Sequence, residues 1–263
     1  MTAQPAAADR QIPAADRRGG EALLAAISRR IGKVLGSVAE LGDAMTALAA
    51  SAAGQRPLRR PDLASLRPLA ATVLRRHQGL VAGAGVVLAP TVLADAARWI
   101  EWCWAGPNGA ISRLDVDLDP GSAEFYDYTT TEWYREPART GRRWVAGPYV
   151  DYICTHQYTF TLSAPLTLGD RFLGVAGADI LADRVERLVL PGLARLGAGT
   201  VLVSGHGRVI AASSASILPG TVLARHAGAA GLRPVAGPPA GDGDGQPAVP
   251  WLLLRAASAS GSP

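Results

Sequence analysis

The chain has 263 residues and a formal charge of +4, with a mass of 27.2 kDa and a pI near 9.4. At 48% hydrophobic and 18% charged residues it has the composition of a chain that folds into one or two domains. Two cysteines exclude a disulfide-rich scaffold or a multi-cysteine zinc module.

Met1 to Gly20 is rich in Ala, Pro and Arg and lacks an apolar signal core. It reads as disordered. No apolar run reaches the ~18 residues of a membrane span, so the expectation is a cytoplasmic protein with Cys103 and Cys154 reduced. Glu21 to Leu48 then places Leu24, Ile27, Ile31, Val34, Val38, Leu41 and Met45 at helical spacing, which predicts a long amphipathic helix. Pro61 and Asp62 open a second helix to about Arg76, with Asp62 as its cap. Gly79 to Ala89 is a β-like apolar run, and Thr91 to Ala97 reads as a short helical turn. Arg98–Trp104 and Ile111–Val116 read as strands around a Gly-Pro-Asn-Gly turn.

Residues 122–142 read as a short helix and loop with the richest polar and aromatic content. Trp144–Tyr149, Gln157–Ala164 and Arg171–Ile180 follow as an antiparallel meander. Leu181–Leu196 is an amphipathic helix that Pro191 kinks or divides. Thr200–Val203 and Arg208–Ala212 form a hairpin across Ser204-Gly205-His206-Gly207. From about Ala227 the chain turns to Gly, Pro, Ala and Ser, with Val249–Leu254 as a last strand. Helices followed by a meander make an α+β fold and argue against alternating βαβ units.

The basic total, taken alone, points to nucleic acid or an anionic membrane. Its distribution argues otherwise. The cations are 25 Arg and the single Lys33, as expected from GC-rich codon usage. Residues 1–94 carry twelve of them against six acids, residues 95–186 eight against fourteen, and residues 187–263 six against two. Of 15 aromatic residues, 14 fall between Trp99 and Phe172. A binding pocket is therefore expected in the acidic, aromatic middle, although aromatics also favour strands.

Several chemical motifs fail. There is no Walker A sequence, Gly83-Ala84-Gly85 lacks the third glycine and helix start of a dinucleotide loop, and no Gly-x-Ser-x-Gly elbow occurs. Cys154 and His156 have no second pair to complete a metal site. Ser204-Gly205-His206 reads as a turn. Asp115, Asp117 and Asp119 lack the glycine and terminal glutamate of a calcium loop. No metal, cofactor or enzymatic activity is expected.

One distributed pattern remains. It comprises Glu132-Trp133-Tyr134, Gly147-Pro148-Tyr149-Val150-Asp151, Thr161-Leu162-Ser163-Ala164-Pro165 and Gly174-Val175-Ala176-Gly177-Ala178-Asp179-Ile180. The stretch Phe125 to Ile180 thereby resembles the Cache superfamily of ligand sensors. The resemblance implies a long N-terminal helix, a PAS-like antiparallel sheet whose Gly-x-Asp-Ile strand closes a ligand pocket, and a second module, here truncated. On this reading residues 1–20 are a disordered N-terminus and 21–180 the ligand-binding domain. Residues 181–226 are then a partial second PAS-like module, and 227–263 a flexible tail.

A double-Cache subgroup recognises amino acids: Arg and Trp hold the carboxylate, and Tyr with two Asp holds the ammonium. Tyr126, Trp133, Tyr134, Tyr149, Asp151 and Asp179 match that set, with 16 residues from Trp133 to Tyr149. Thr131 stands where the carboxylate-binding Arg is expected. Asp151 and Asp179 repel unless a cation neutralises them, and an ammonium would supply charge-assisted hydrogen bonds and a cation–π contact.

The expected ligand is an amine or quaternary ammonium, with an amino acid as the alternative if Arg135, Arg139, Arg142 or Arg143 replaces the missing guanidinium. The expected partner is a separate transcriptional regulator or transporter, or a second copy joined through the N-terminal helix. The competing readings are a DNA-binding or regulatory partner of a transcription factor, and an enzyme acting on a small amine.

Overall fold

The computed structural model describes residues 12–106, 108–153, 156–223, 232–237 and 249–256. The chain divides into two units, one of residues 29–188 and one of residues 1–28 with 189–263. No helix among the described residues is long and apolar enough to cross a membrane.

The larger unit is built on six strands: β1 (Val81–Leu88), β2 (Trp99–Ala105), β3 (Ile111–Arg113), β4 (Trp144–Val150), β5 (Tyr158–Leu168) and β6 (Arg171–Leu181). They form one antiparallel sheet in the order β3-β2-β1-β6-β5-β4. Every residue of β1 is buried, because β1 sits near the middle of the sheet and is covered on both faces. β5 runs on through Pro165, which pairs with Val175 of β6. Its pairing with β4 ends at Ser163, so the amide that proline lacks faces no neighbouring strand.

One face of the sheet carries helices. The helix α1 (Ala14–Ala52) contributes Ile31, Val34, Val38, Leu41 and Met45 to this unit's core. A Cβ on Gly42 would stand 3.0 Å from Leu166 and 3.6 Å from Ala176, so the helix packs closely on β5 and β6. The segment Arg60–Leu66 is a 3-10 turn, and α2 (Arg67–Arg76) follows it. Asp62 accepts the Arg59 amide and a bidentate Arg56 guanidinium. Arg67 of α2 donates to the buried Glu101 of β2 at 2.6 Å. The opposite face carries α3 (Glu132–Thr140) and the loop before it, and the pocket lies on that side.

In the smaller unit, β7 (Thr200–Val203), β8 (Val209–Ala212), β9 (Leu232–Ala236) and β10 (Leu252–Ala256) form a sheet in the order β8-β7-β10-β9. Val201, Val203, Val209 and Leu254 make its core. Gly20 and Gly192 allow close packing here: a Cβ on Gly20 would lie 2.8 Å from Val235, and one on Gly192 2.5 Å from Leu23. Arg255 binds Asp16 and the Leu196 carbonyl.

The structure differs from the sequence expectations at several points. The helix begins at Ala14, inside the segment expected to be disordered; residues 1–11 lie outside the described residues. The tail gives two strands where one is expected: β10, near the expected Val249–Leu254, pairs with β7, and β9 pairs with the other edge of β10. Residues 91–97 form an irregular loop closed by the Thr91 amide on the Ala97 carbonyl rather than a helical turn. The helix α4 (Ala182–Leu196) contains Pro191 and is not divided by it. Ser204 to Gly207 is a turn, with the Gly207 amide on the Ser204 carbonyl.

Candidate functional site

Strand register builds the floor of the site. Residues two apart share a face, so Gly83, Gly85 and Val87 of β1, Gly177 and Asp179 of β6, Thr161 of β5, and Ile100 and Trp102 of β2 all point away from the helices. Asp179 pairs with Gly83 on one side and Thr161 on the other; Gly85 pairs with Trp102 and Gly177. The indole of Trp102 lies across the three glycines. A Cβ on Gly83 would sit 2.5 Å from its Nε1, one on Gly85 2.8 Å from its Cε3, and one on Gly177 3.2 Å from its Cη2. The Gly-Ala-Gly run that fails as a nucleotide loop therefore makes room for a tryptophan.

The cover comes from β4, α3 and the loop preceding α3. Tyr128 anchors that loop through a 2.6 Å hydrogen bond to the Leu88 carbonyl, and burial pushes its phenol up to about 12. Asp127 accepts the Thr129 amide, and Thr131 precedes the first turn of α3, where Trp133 turns inward. Beyond β4, the Asp151 amide donates to the Gln157 carbonyl and its carboxylate accepts the Ile153 amide at 3.0 Å.

These walls enclose a deep cell of about 40 Å³, lined by Val87, Ile100, Trp102, Leu114, Tyr126, Trp133, Tyr149, Asp151, Ile153, Thr161 and Asp179. An outer cavity of about 500 Å³ shares Tyr126, Trp133, Tyr149, Asp151 and Ile153 with it and adds Thr131, Glu132, Ala146, Val150 and Tyr152. Among the described residues, no Arg or Lys lines either space.

Asp179 is 8% exposed. Thr161 donates to its Oδ1 at 2.7 Å; its Oδ2 receives no hydrogen bond from the described residues. Burial pushes the Asp179 carboxyl up to about 7; the Thr161 hydrogen bond opposes that rise and the Asp151 charge adds to it. Burial likewise holds the Tyr149 phenol well above its ordinary value, and the Asp179 charge acts in the same direction.

Of the residues expected from sequence, Tyr126, Trp133, Tyr149, Asp151 and Asp179 line the deep cell, and Thr131 lines the outer cavity. Tyr134 lines neither. It packs edge-on against Tyr128, Trp133 and Phe172, at ring distances of 5.3, 6.3 and 5.7 Å, because one residue further along α3 is rotated away from the pocket. Arg135, Arg139, Arg142 and Arg143 line neither cavity, and Arg139 pairs with Glu136.

Sequence reasoning missed Trp102, Thr161 and Gly83. Their places follow from cross-strand register: Gly83 and Thr161 flank Asp179, and Trp102 pairs with Gly85. No group of three or more His, Cys, Asp and Glu among the described residues is placed to hold a metal ion. Asp117 and Asp119 instead accept the backbone amides of Asp119 and Gly121. Cys154 lies outside the described residues.

A long helix thus precedes a PAS-like antiparallel sheet with a pocket between the sheet and its covering loop. Residues 80–187 match the family model of the methyl-accepting chemotaxis protein-like, first PDC sensor domain, in keeping with the Cache resemblance read from residues 125–180. No curated protein matches the sequence.

Among solved structures the chain is similar to methyl-accepting chemotaxis protein X, at 18% identity over 91% of this chain and 95% of that one, with a TM-score of 0.62. It is also similar to the ligand-binding domain of the Pseudomonas fluorescens chemoreceptor CtaA in complex with L-valine, at 14% identity over 93% and 96%, TM-score 0.55. A third is that of the Pseudomonas aeruginosa PAO1 amino acid chemoreceptor PctB in complex with L-Gln, at 15% identity over 92% and 89%, TM-score 0.56. These likenesses establish the α+β, PAS/PDC-like fold.

Proposed function

We propose that this chain senses a small primary amine, held by its ammonium group between Asp179 and Asp151. The observation that carries the reading is the Asp179 carboxylate, almost wholly buried on the wall of the deep cell, with one oxygen that receives no hydrogen bond from the described residues. A buried carboxylate in that position costs free energy until a cation with N–H donors reaches it. A primary ammonium carries N–H donors for both carboxylates, which a quaternary ammonium lacks. The aromatic walls Tyr126, Trp133 and Tyr149 favour a cation further.

An amino acid is the second reading, favoured by the ligands in the two similar chemoreceptor structures. Its carboxylate would need a cationic partner, and Thr131 supplies none. Binding of DNA has less support: Arg60 pairs with Asp95 and Arg76 with Glu40, so these two cations are already engaged by carboxylates. The remaining parts of the proposal are a cytoplasmic location, and a signal passed to a separate transcriptional regulator or transporter or to a second copy through the N-terminal helix. Cell fractionation and co-purification test these.

The ligand reading is tested by thermal shift of the full chain with primary amines, quaternary amines and amino acids. A rise in melting temperature with primary amines that Asp179→Asn abolishes supports it. An unchanged response in that variant overturns it.

A further inference from the structure

Resting on the amine reading above, we infer that the ligand is a linear diamine whose second ammonium lies in the outer cavity against Glu132. The argument starts from the lining. The deep cell holds Asp179 and the outer cavity of about 500 Å³ holds Glu132, and the two share Tyr126, Trp133, Tyr149, Asp151 and Ile153, so a ligand held at Asp179 has the outer cavity for its body. That space is lined by aromatic and aliphatic side chains, by Thr131, and by two carboxylates, Asp151 and Glu132. Glu132 is held in place: its Oε1 accepts the Trp144 indole N–H at 2.9 Å, and its other oxygen accepts no hydrogen bond from the described residues.

Charge then selects among ligand tails. A carboxylate tail would meet Asp151 and Glu132 with no Arg or Lys on the described walls, and like charges at close range disfavour binding. A neutral alkyl tail would leave Glu132 unused. A second ammonium pairs with Glu132, while the methylene chain between the two nitrogens covers the rings of Tyr126, Trp133 and Tyr149. Asp179 supplies the independent sign of a ligand: it is 8% exposed, its Oδ2 receives no hydrogen bond from the described residues, and it lines the deep cell that shares five wall residues with the outer cavity.

The test is calorimetric titration of the full chain with 1,3-diaminopropane, 1,4-diaminobutane, 1,5-diaminopentane, n-butylamine and 4-aminobutanoate, repeated on Glu132→Gln. We expect one of the diamines to bind more tightly than n-butylamine by roughly five-fold or more, the yield of a partly exposed ion pair. Glu132→Gln is expected to erase that preference, with the melting temperature of the unliganded chain unchanged. Equal binding of diamine and n-butylamine, tighter binding of 4-aminobutanoate, or a preference that survives Glu132→Gln overturns the diamine inference and leaves the amine reading standing. Failure of every amine, together with an Asp179→Asn variant that behaves as the parent chain, overturns both.

Discussion

Thr161 donates its hydroxyl proton to Asp179 Oδ1 at 2.7 Å. A threonine hydroxyl has one proton, so the Tyr149 hydroxyl, 2.6 Å from Thr161 Oγ1, is the donor in the next bond while Asp179 is ionised. The three groups form a directed relay, Tyr149 to Thr161 to Asp179, that delivers a single hydrogen bond to a buried carboxylate. The relay orients Asp179 through Oδ1, while Oδ2 receives no hydrogen bond from the described residues.

Thr161→Val removes the one hydrogen bond that holds the Asp179 carboxyl down against burial. Its value then rises above about 7, so more of the chain carries a neutral Asp179 at neutral pH. Affinity for a primary amine at pH 7 is expected to fall by roughly ten-fold, the scale of one hydrogen bond to a charged group. Part of the loss should return as the pH is raised to 9. Calorimetric titrations from pH 6 to 9 on both proteins check this. A loss independent of pH would show that Thr161 acts on shape and not on charge.

Asp179→Asn separates stability from binding. The folded-state value of about 7 lies above the ~3.9 of an unfolded aspartate. Below pH ~4 the carboxyl is protonated in both states and its stability contribution is whole. As pH rises from about 4 to 7 the unfolded chain gives up the proton first, stability falls, and above about 7 the loss is complete. The melting temperature of the parent chain should therefore decline over that window relative to Asp179→Asn. The variant gains up to roughly 4 kcal/mol at pH 8 and nothing at pH 4. The same variant should lose amine binding at every pH.

The legibility of this site follows its chemistry. Asp151, Asp179, Tyr149, Tyr126 and Trp133 stand in a spaced set that marks them in the sequence, and all five line the deep cell. Tyr134 shares that set but belongs to the core, because a helix turns adjacent residues to different sides. Trp102, Gly83 and Thr161 were not legible. Their roles arise from cross-strand register between segments up to 96 residues apart, as between Gly83 and Asp179, and local pattern carries no register. The second sheet was half-legible for the same reason. β7 and β8 form a local hairpin, whereas β10 reaches β7 across a Gly- and Pro-rich stretch.

Gly83 and Gly85 look interchangeable in the sequence and should behave differently. A Cβ on Gly83 meets side chains, Trp102 Nε1 at 2.5 Å and Asp179 Oδ2 at 3.1 Å. The indole must move, and it moves into the deep cell. Gly83→Ala is expected to fold with a loss of about 1–3 kcal/mol and to weaken amine binding by ten-fold or more, since displacement of the head group by about one ångström is costly. A Cβ on Gly85 meets backbone, the Glu101 carbonyl at 2.2 Å and Trp102 Cα at 2.7 Å, so Gly85→Ala should fail to give folded protein. Circular dichroism with amine titration distinguishes the two. A Gly83→Ala chain that binds as the parent does would remove Trp102 from the pocket wall.

Glu101 tests the opposite face of the same strand. It neighbours Trp102 on β2 but points to the helices, where it is 3% exposed. There it accepts Arg67 Nε at 2.6 Å and the Trp99 indole at 3.0 Å, and Arg113 lies 3.9 Å away. Glu101→Gln keeps an acceptor for Trp99 and removes the charge that draws α2 onto the sheet. Arg67 is nearly half-exposed, so water takes over part of its solvation and the loss stays below that of a fully buried pair. The expected cost is about 2 kcal/mol, that of one charge-assisted hydrogen bond, read as a shift in the urea midpoint without a change in slope. Amine affinity should remain within about two-fold, because the alternation of β2 keeps this site off the pocket face. A larger loss of affinity would mean that the sheet transmits strain from its helix face to the ligand.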